Sequence, residues 1–524
     1  MFARLKLLRG LLLVLALVAA GCSADSEGGR EGAPEGVLRI GLERPQSLDP
    51  AQARFPAELL VVEQLFDGLT TYDPETLQVR PALAARWEAS PDQKAWTFTL
   101  RAGARFSNGR AVVPDDVKYT LDRIGRKDSN SPSSAQLEAI VGYQALSEGK
   151  VEGFEGVTLP GRGTVRIELS YPLSSFPAIL GHPSFGVVPR ESVEAPAPAQ
   201  PFAVHPVGSG PFMIRSRSAE VIRLMPAPGM KMSLKGLEVH MGSDSDAPYA
   251  AFLRGRLDWT AIPAERVEQV VRDRGRDSFR PYPAELFYGF NLRNPKFQDT
   301  RFREAVVRAI DRDAIVRVVY GNRVRATSGV IAQGIPGYQP DPCGEKCRFD
   351  PARARILLGE VFGSRAVPEI QIDYDQDPTQ EAVAQAIQGN LRAAGIPANL
   401  RAHSYTDYLK FAVSGEQEFF RLAWIGSYPT PDAFLTPLFY SGHADNVTGF
   451  SSPDFDSLIR TARESGDETK RLNAYQQAEK LLMSELPVVP IAQYETHTLV
   501  SSRVRDLAMS AFGTFDASRV RLVG

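Results

Sequence analysis

The chain is poor in cysteine, in charge of one sign and in long apolar runs. Three Cys among 524 residues are too few for a scaffold held together by disulfides. Lys and Arg number 60 against 62 Asp and Glu, a formal charge of −2, and the basic residues are scattered rather than gathered into a stripe. Nothing in that distribution advertises a nucleic-acid surface. The signatures G-x-x-x-x-G-K-[ST], G-x-G-x-x-G, H-E-x-x-H, C-x-x-C and G-x-S-x-G are all absent. The pair Asp244 and Asp246 lacks the Gly and terminal Glu of a calcium loop and reads as a solvated turn. His205 and His240 read as structural or surface residues. We therefore expect no catalytic set, no metal and no cofactor. What is present is an ordinary globular balance, 43% hydrophobic and 23% charged, enough for roughly two or three domains.

One apolar run stands out. In MFARLKLLRGLLLVLALVAAGCSA, Arg4, Lys6 and Arg9 precede apolar residues Leu11 to Ala20. The run is too short to span a bilayer, and its order of basic, apolar and small residues is that of a secretory signal over residues 1–21. Val18-Ala19-Ala20-Gly21-Cys22 resembles a bacterial lipobox, with Ala19 where that pattern prefers a larger aliphatic residue; the plainer reading is an ordinary signal with a chance Cys. Lipidation of Cys22 implies an extracytoplasmic protein, in the periplasm or at the cell surface. Its acyl chains would anchor it to a bacterial membrane, at about 0.8 kcal/mol per buried methylene. Residues 22–36 are Gly- and acid-rich and read as a flexible tether. Loss of residues 1–21 removes three basic side chains and no acid, leaving 57 against 62, a charge of −5. Cys343 and Cys347 then remain; in an oxidising compartment they read as a disulfide clipping a surface loop, whereas a metal site would need two more ligands.

Periodicity places the elements. The run VLRIGLERPQSLDP from Val37 reads as an entry strand ending at a Pro turn, AELLVVEQLFDGL carries helix-like spacing, and WTFTLRAGARF reads as an alternating strand with Trp96, Phe98 and Leu100 on one face. Pro114-Asp115-Asp116 opens a helix, with Pro in the first turn and acids at its positive end. From HPVGSGPFMI at residue 205 to about residue 281 we expect short strands and one Ala-rich helix, APYAAFLRG; Gly208 and Gly210 in VGSGPF allow a sharp turn and close backbone approach. Beyond FYGFNL the patterns alternate: a helix capped by Thr300, strand EIQIDY, helix TQEAVAQAIQGNLRAAG, strand ANLRA, helix YTDYLKFAV, strand FFRLAW and a helix ending at Leu486-Pro487. VVPIAQYETHTLVS reads as strands returning the chain. Such alternation with short connections is α/β.

Seven segments, in order, resemble the family 5 extracellular solute-binding proteins, receptors of peptide, nickel and related ABC importers. They are SLDP from Ser47, LFDGLTTYDP from Leu65, RPALAARWEAS, WTFTLRAGARFSNGRAVVPDDVKYT, VGSGPF, GFNLRNPKFQDTRFREAVVRAIDRDAI and FRLAWIGSYPTPDAF. The resemblance implies an α/β, two-lobed periplasmic-binding-protein fold of type II, large peptide-binding class, with an extra subdomain. Lobe I would comprise 37–281, with the subdomain at about 69–202, lobe II 282–487, and 488–524 would return to lobe I. The lobes would be joined at ELFYGF and PVVPIAQY. The implied function is capture of a peptide or peptide-like ligand between the lobes by hinge closure, a motion general to periplasmic binding proteins, and delivery to an ABC permease. The resemblance implies a monomer that does no covalent chemistry.

Members of this family bind peptide by strand addition. That implies a ligand edge at Ala423, Trp424, Ile425 and Gly426, followed by Ser427 and Tyr428. Peptide-binding relatives place an Asp for the ligand α-amine two residues after the position of Ile425; here it is Ser427. Arg421 matches a position where some relatives direct an Arg toward the ligand carboxylate, and counting from SLDP puts Arg54 and Phe55 on the opposite face. A hydroxyl cannot neutralise an enclosed ammonium, whose burial without an anion costs several kcal/mol. We therefore expect an electropositive cleft for a ligand bearing an anionic group and needing no free α-amine. Two other readings are a lipid-anchored sensor or scaffold without transport, and an enzyme built into the cleft, for which no acid, base or nucleophile set is visible.

Overall fold

A computed structural model describes residues 35–195, 201–276, 279–510 and 512–523. The signal segment, Cys22 and most of the tether lie outside the described residues. Eleven strands form one sheet that runs through the molecule. In spatial order they are Ala398–His403, Ile370–Asp375, Phe419–Ile425, Phe279–Phe290, Val488–Val500, Trp259–Ala261, Val37–Glu43, Gly236–Gly242, Val221–Pro226 and Phe212–Arg217, with Val324–Ala326 also against Val488–Val500. Two long strands join the halves. Phe279–Phe290 pairs with Phe419–Ile425, Val488–Val500 pairs with Trp259–Ala261, and the two pair with each other antiparallel. VVPIAQYETHTLVS is therefore one continuous strand rather than several. Register shifts on either side of Glu285 let the pair bend between the halves without breaking.

Each half is covered by helices. Pro378–Ala393 connects the parallel strands Ile370–Asp375 and Ala398–His403, burying Val383, Ala384, Ile387 and Leu391 at helical spacing. A separate four-stranded antiparallel sheet, Ala84–Ala89, Ala95–Leu100, Thr164–Glu168 and Val157–Gly161, buries Trp96 and Phe98. The whole is a two-lobed α/β architecture. Gly208 and Gly210 act as expected of close-approach glycines: a Cβ on Gly208 would lie 1.8 Å from the Leu65 carbonyl oxygen at the end of helix Pro56–Leu65, and Gly210 N–H donates to that oxygen at 2.9 Å.

Some local expectations need correction. Helix Thr300–Ala309 is capped by Asp299, not Thr300, because the preceding carboxylate accepts the Arg301 N–H at 2.9 Å. Between residues 205 and 281 a second helix, Val267–Arg274, follows Asp246–Leu253; its charge-rich sequence buries only Val267 and Val270, so the apolar period is nearly invisible. Asp244 closes a turn by accepting the Asp246 N–H at 3.0 Å. Cys343 and Cys347 form a disulfide around the turn Gly344–Cys347.

Candidate functional site

Two cavities meet at the long strand Val488–Val500, and His497 lines both. The larger, about 690 Å³, is walled by Tyr320, Asp375, Gln380, Arg421, Tyr494 and Glu495, with Ala264 across from them. The smaller, about 400 Å³, lies on the side of Val37–Glu43 and helix Pro56–Leu65.

Arg421 reaches the larger cavity from strand Phe419–Ile425. Its Nη1 is 3.0 Å from Asp375 Oδ1, and its Nε donates to Gln380 Oε1 at 2.9 Å. Asp375 ends its strand. Gln380 stands in the first turn of helix Pro378–Ala393, whose N-cap Asp377 accepts the Thr379 and Gln380 N–H groups at 2.9 and 3.0 Å. Glu495 is enclosed by Arg325 Nε at 2.5 Å and by Arg276. Acids and guanidiniums are interleaved on this wall: Asp375, Asp377 and Glu495 line it with Arg323 and Arg421, and Arg276 and Arg325 stand against Glu495. Arg421 carries a partner that no motif marked, Asp375 at the end of the neighbouring strand, which an anionic ligand group would have to displace or share. The His497 imidazole is pushed down to about 4 by burial and by the nearby Arg276 and Arg323 cations, and its ring meets Phe279 at 4.4 Å.

The strand carrying Arg421 has an open edge. Of that strand, Ile370–Asp375 pairs with Phe419 and Phe420 alone. Residues 421–425 therefore have no strand neighbour on that side among the described residues, though the Tyr408 hydroxyl donates to the Arg421 carbonyl at 2.5 Å. Ala423 and Ile425 are exposed. Trp424 turns inward, its Nε1 donating to the Ala433 carbonyl at 2.7 Å. Gly426 is buried, with its N–H on the Pro283 carbonyl at 2.8 Å, and a Cβ there would meet the Phe434 ring at 2.4 Å. Ser427 is half-buried.

Tyr428 belongs to the interior rather than to the open edge: it is buried and its hydroxyl donates to Asp432 Oδ2 at 2.9 Å. Asp432 is itself fully buried. It also accepts from Arg463 at 2.8 and 3.0 Å, from Thr436 at 2.8 Å and from Tyr475 at 2.9 Å. Burial alone would push its carboxyl up, but Arg463 and the three hydroxyls hold it below the usual 3.8. The elbow's one acid is thereby committed to the fold.

Phe55 lies on the other wall. It is the N-cap of helix Pro56–Leu65, where Pro56 fits the first turn and the buried Glu58 carboxylate accepts the N–H groups of Gln46, Arg54 and Phe55 at 3.1, 2.7 and 3.2 Å. The ring stands 55% exposed at the mouth of the smaller cavity. Arg54 does not join it: its guanidinium donates to the Asn130 carbonyl at 3.2 Å, outside both cavities. Sequence reasoning missed Asp375, Gln380, Tyr494, Glu495 and His497. The first two lie at a strand end and a helix start, the others on a strand marked only by apolar pattern, and no local signal singles them out.

Two lobes bridged by a pair of long strands, with cavities on both sides of the bridge, define the periplasmic-binding-protein class. The profile of the bacterial extracellular solute-binding proteins, family 5 (middle region), matches residues 78–446, well over half of the chain, and the chain belongs to this family. It is 27% identical to the dipeptide-binding protein DppE of Bacillus subtilis, over 97% of each chain. Against the unliganded open form of the murein tripeptide-binding protein MppA of Escherichia coli the TM-score is 0.84, at 25% identity over 94% of this chain and 98% of that one. Against the dipeptide-binding protein of Pseudoalteromonas sp. SM9913 in complex with Met-Leu it is 0.67, at 23% identity over 93% and 100%. Among the described residues no helix is long and apolar enough to cross a membrane.

Proposed function

We propose that this protein is the extracytoplasmic binding component of an ABC importer and captures a peptide or peptide-like solute between its lobes. The observation that carries the reading is the open edge of residues 421–425, whose backbone can add an extended ligand as a further strand while Arg421 stands at one end. The better match to an unliganded open form than to a dipeptide complex supports an open state awaiting hinge closure. Lobe I would hold residues 37–281 and the chain's return, lobe II residues 282–487, and Cys22 would carry a lipid anchor. Ala423, Trp424, Ile425 and Ser427 would face or border the ligand, with Gly426 and Tyr428 supporting them. No covalent step is involved.

Because Ser427 replaces an acid and Asp432 is occupied, the ligand does not depend on a free α-amine at the elbow; its anionic end competes with Asp375 for Arg421. Melting shifts with matched peptides bearing free or acetylated N-termini test this. Ligand at one hundred times its dissociation constant stabilises by about 2.7 kcal/mol. Equal stabilisation by both peptide forms is expected. Stabilisation by the free-amine form alone would refute the amine-independent part, and no stabilisation by any peptide would refute the peptide reading.

A further inference from the structure

We infer that the ligand is amphipathic: a bulky aromatic or branched aliphatic group fills the 400 Å³ cavity beside Phe55 while a hydrogen-bonding end lies against Arg421–Ile425. This rests on the strand-addition reading above. The two cavities share His497 but differ in chemistry. The one at Arg421 is walled by ion pairs and hydroxyls, as described. The one at Phe55 is walled by Leu42, Phe55, Leu60, Pro248, Trp259 and Ile262; Ser245, Thr260, Thr496 and Thr498 also line it, but no Lys or Arg does, and Glu43 is its one carboxylate. Glu43 is solvent-exposed, and burial keeps the shared imidazole of His497 neutral at neutral pH.

This apolar half is built by the local fold. Gly41 lacks the side chain that would strike Pro248: a Cβ there would lie 2.6 Å from it, so helix Asp246–Leu253 can close on strand Val37–Glu43. Trp259 is held beside Ile40 by parallel pairing. Glu58 fixes the turn that presents Phe55. A charged ligand group placed here would lose its hydration and find no cation and only the exposed carboxylate of Glu43. A hydrocarbon group gains by leaving water, and the half-exposed Phe55 ring gains with it as the lobes close. Burying one Leu- or Phe-sized group is worth about 1.5–3 kcal/mol, which corresponds to roughly a ten- to hundredfold gain in affinity.

Titration calorimetry with Gly-Gly-Gly, Lys-Lys-Lys, Leu-Leu-Leu and Phe-Phe-Phe, and with 3-phenylpropionate, tests the inference. The Leu and Phe peptides should bind at least tenfold more tightly than the Gly peptide, and Lys-Lys-Lys no better than Gly-Gly-Gly. Phe55→Ala, at an exposed position, and Ala261→Asp, on the cavity wall, should each shrink the apolar preference about tenfold, with folding checked by circular dichroism. Equal or tighter binding of the Gly or Lys peptides overturns the inference and leaves the peptide reading standing. Binding of 3-phenylpropionate that depends on Phe55, with no peptide bound, supports the apolar cavity and removes the peptide reading. Failure of every apolar probe overturns the inference.

Discussion

Asp432→Asn separates a structural acid from a ligand-binding one. Asp432 is fully buried and accepts five hydrogen bonds, two of them from Arg463. Asn keeps one acceptor oxygen, presents an amide NH2 to donors and leaves the Arg463 guanidinium without a counter-charge. Breaking a buried ion pair in this way costs about 3–5 kcal/mol; the Arg463 side chain is 15% exposed, so water recovers part of it and the lower end applies. With an unfolding entropy of about 2.1 cal/mol/K per residue, a chain of about 500 residues loses roughly 1 °C per kcal/mol, so the melting temperature should fall about 3 °C. The sign with pH is fixed. The folded pKa lies below the unfolded 3.8, so the contribution is present above pH 3.8 and lost as pH falls through the folded value. Wild type and variant should therefore converge in strong acid. Differential scanning fluorimetry from strong acid to pH 7, with peptide calorimetry at pH 7 and 20 °C, reads both effects, and affinity should change less than threefold. An unchanged melting temperature, or a tenfold loss confined to free-amine peptides, would refute the reasoning and place the carboxylate on the ligand.

Two further outcomes are expected. Burial pushes Glu63 and Glu479 up to about 7 and Asp67 to about 6, and burial together with Glu479 raises Glu285 well above its ordinary value. The folded state thus keeps protons that the unfolded chain has released above about pH 4.5, and that stabilisation is lost as pH rises through 6 to 7 and beyond. His182 and His497, pushed down to about 4, act in the opposite sense only below about pH 6.5. Melting temperature should fall between pH 6.5 and 8, and Glu285→Gln should raise it at pH 8 more than at pH 5; a flat profile for both proteins would contradict this. Gly426→Ala places a Cβ 2.4 Å from the Phe434 ring and should cost about 1–3 kcal/mol by overpacking. Urea denaturation checks the loss, and calorimetry should show weaker peptide binding as the edge after Ile425 is displaced.

The elements legible in the sequence are those whose signal is local. Helix Pro378–Ala393 announces itself by the spacing of Val383, Ile387 and Leu391, the strand Ala95–Leu100 by the alternation of Trp96 and Phe98, and the Gly208–Gly210 turn by glycines that only a close approach requires. Helix Val267–Arg274 was not legible because two buried valines carry too little period, and the Asp299 cap was mistaken by one residue because Thr300 is also a capping type. At the candidate site, the sequence by itself determined the family's ordered motifs and the strand that carries Arg421. It also showed that the elbow has no acid at Ser427, since these are properties of contiguous residues.

Tertiary structure alone decided what those residues face. Arg421 is neutralised by Asp375 from the adjoining strand, 46 positions away in the chain, and Asp432 is consumed by Arg463 and Tyr475 from two later helices. Arg54 turns aside to the Asn130 carbonyl. The apolar cavity joins Leu42, Phe55, Trp259 and His497 from four separate elements. Charge balance and cavity chemistry are sums over side chains that only pairing and packing bring within a few ångströms, and at such distances a buried partner outweighs any sequence neighbour.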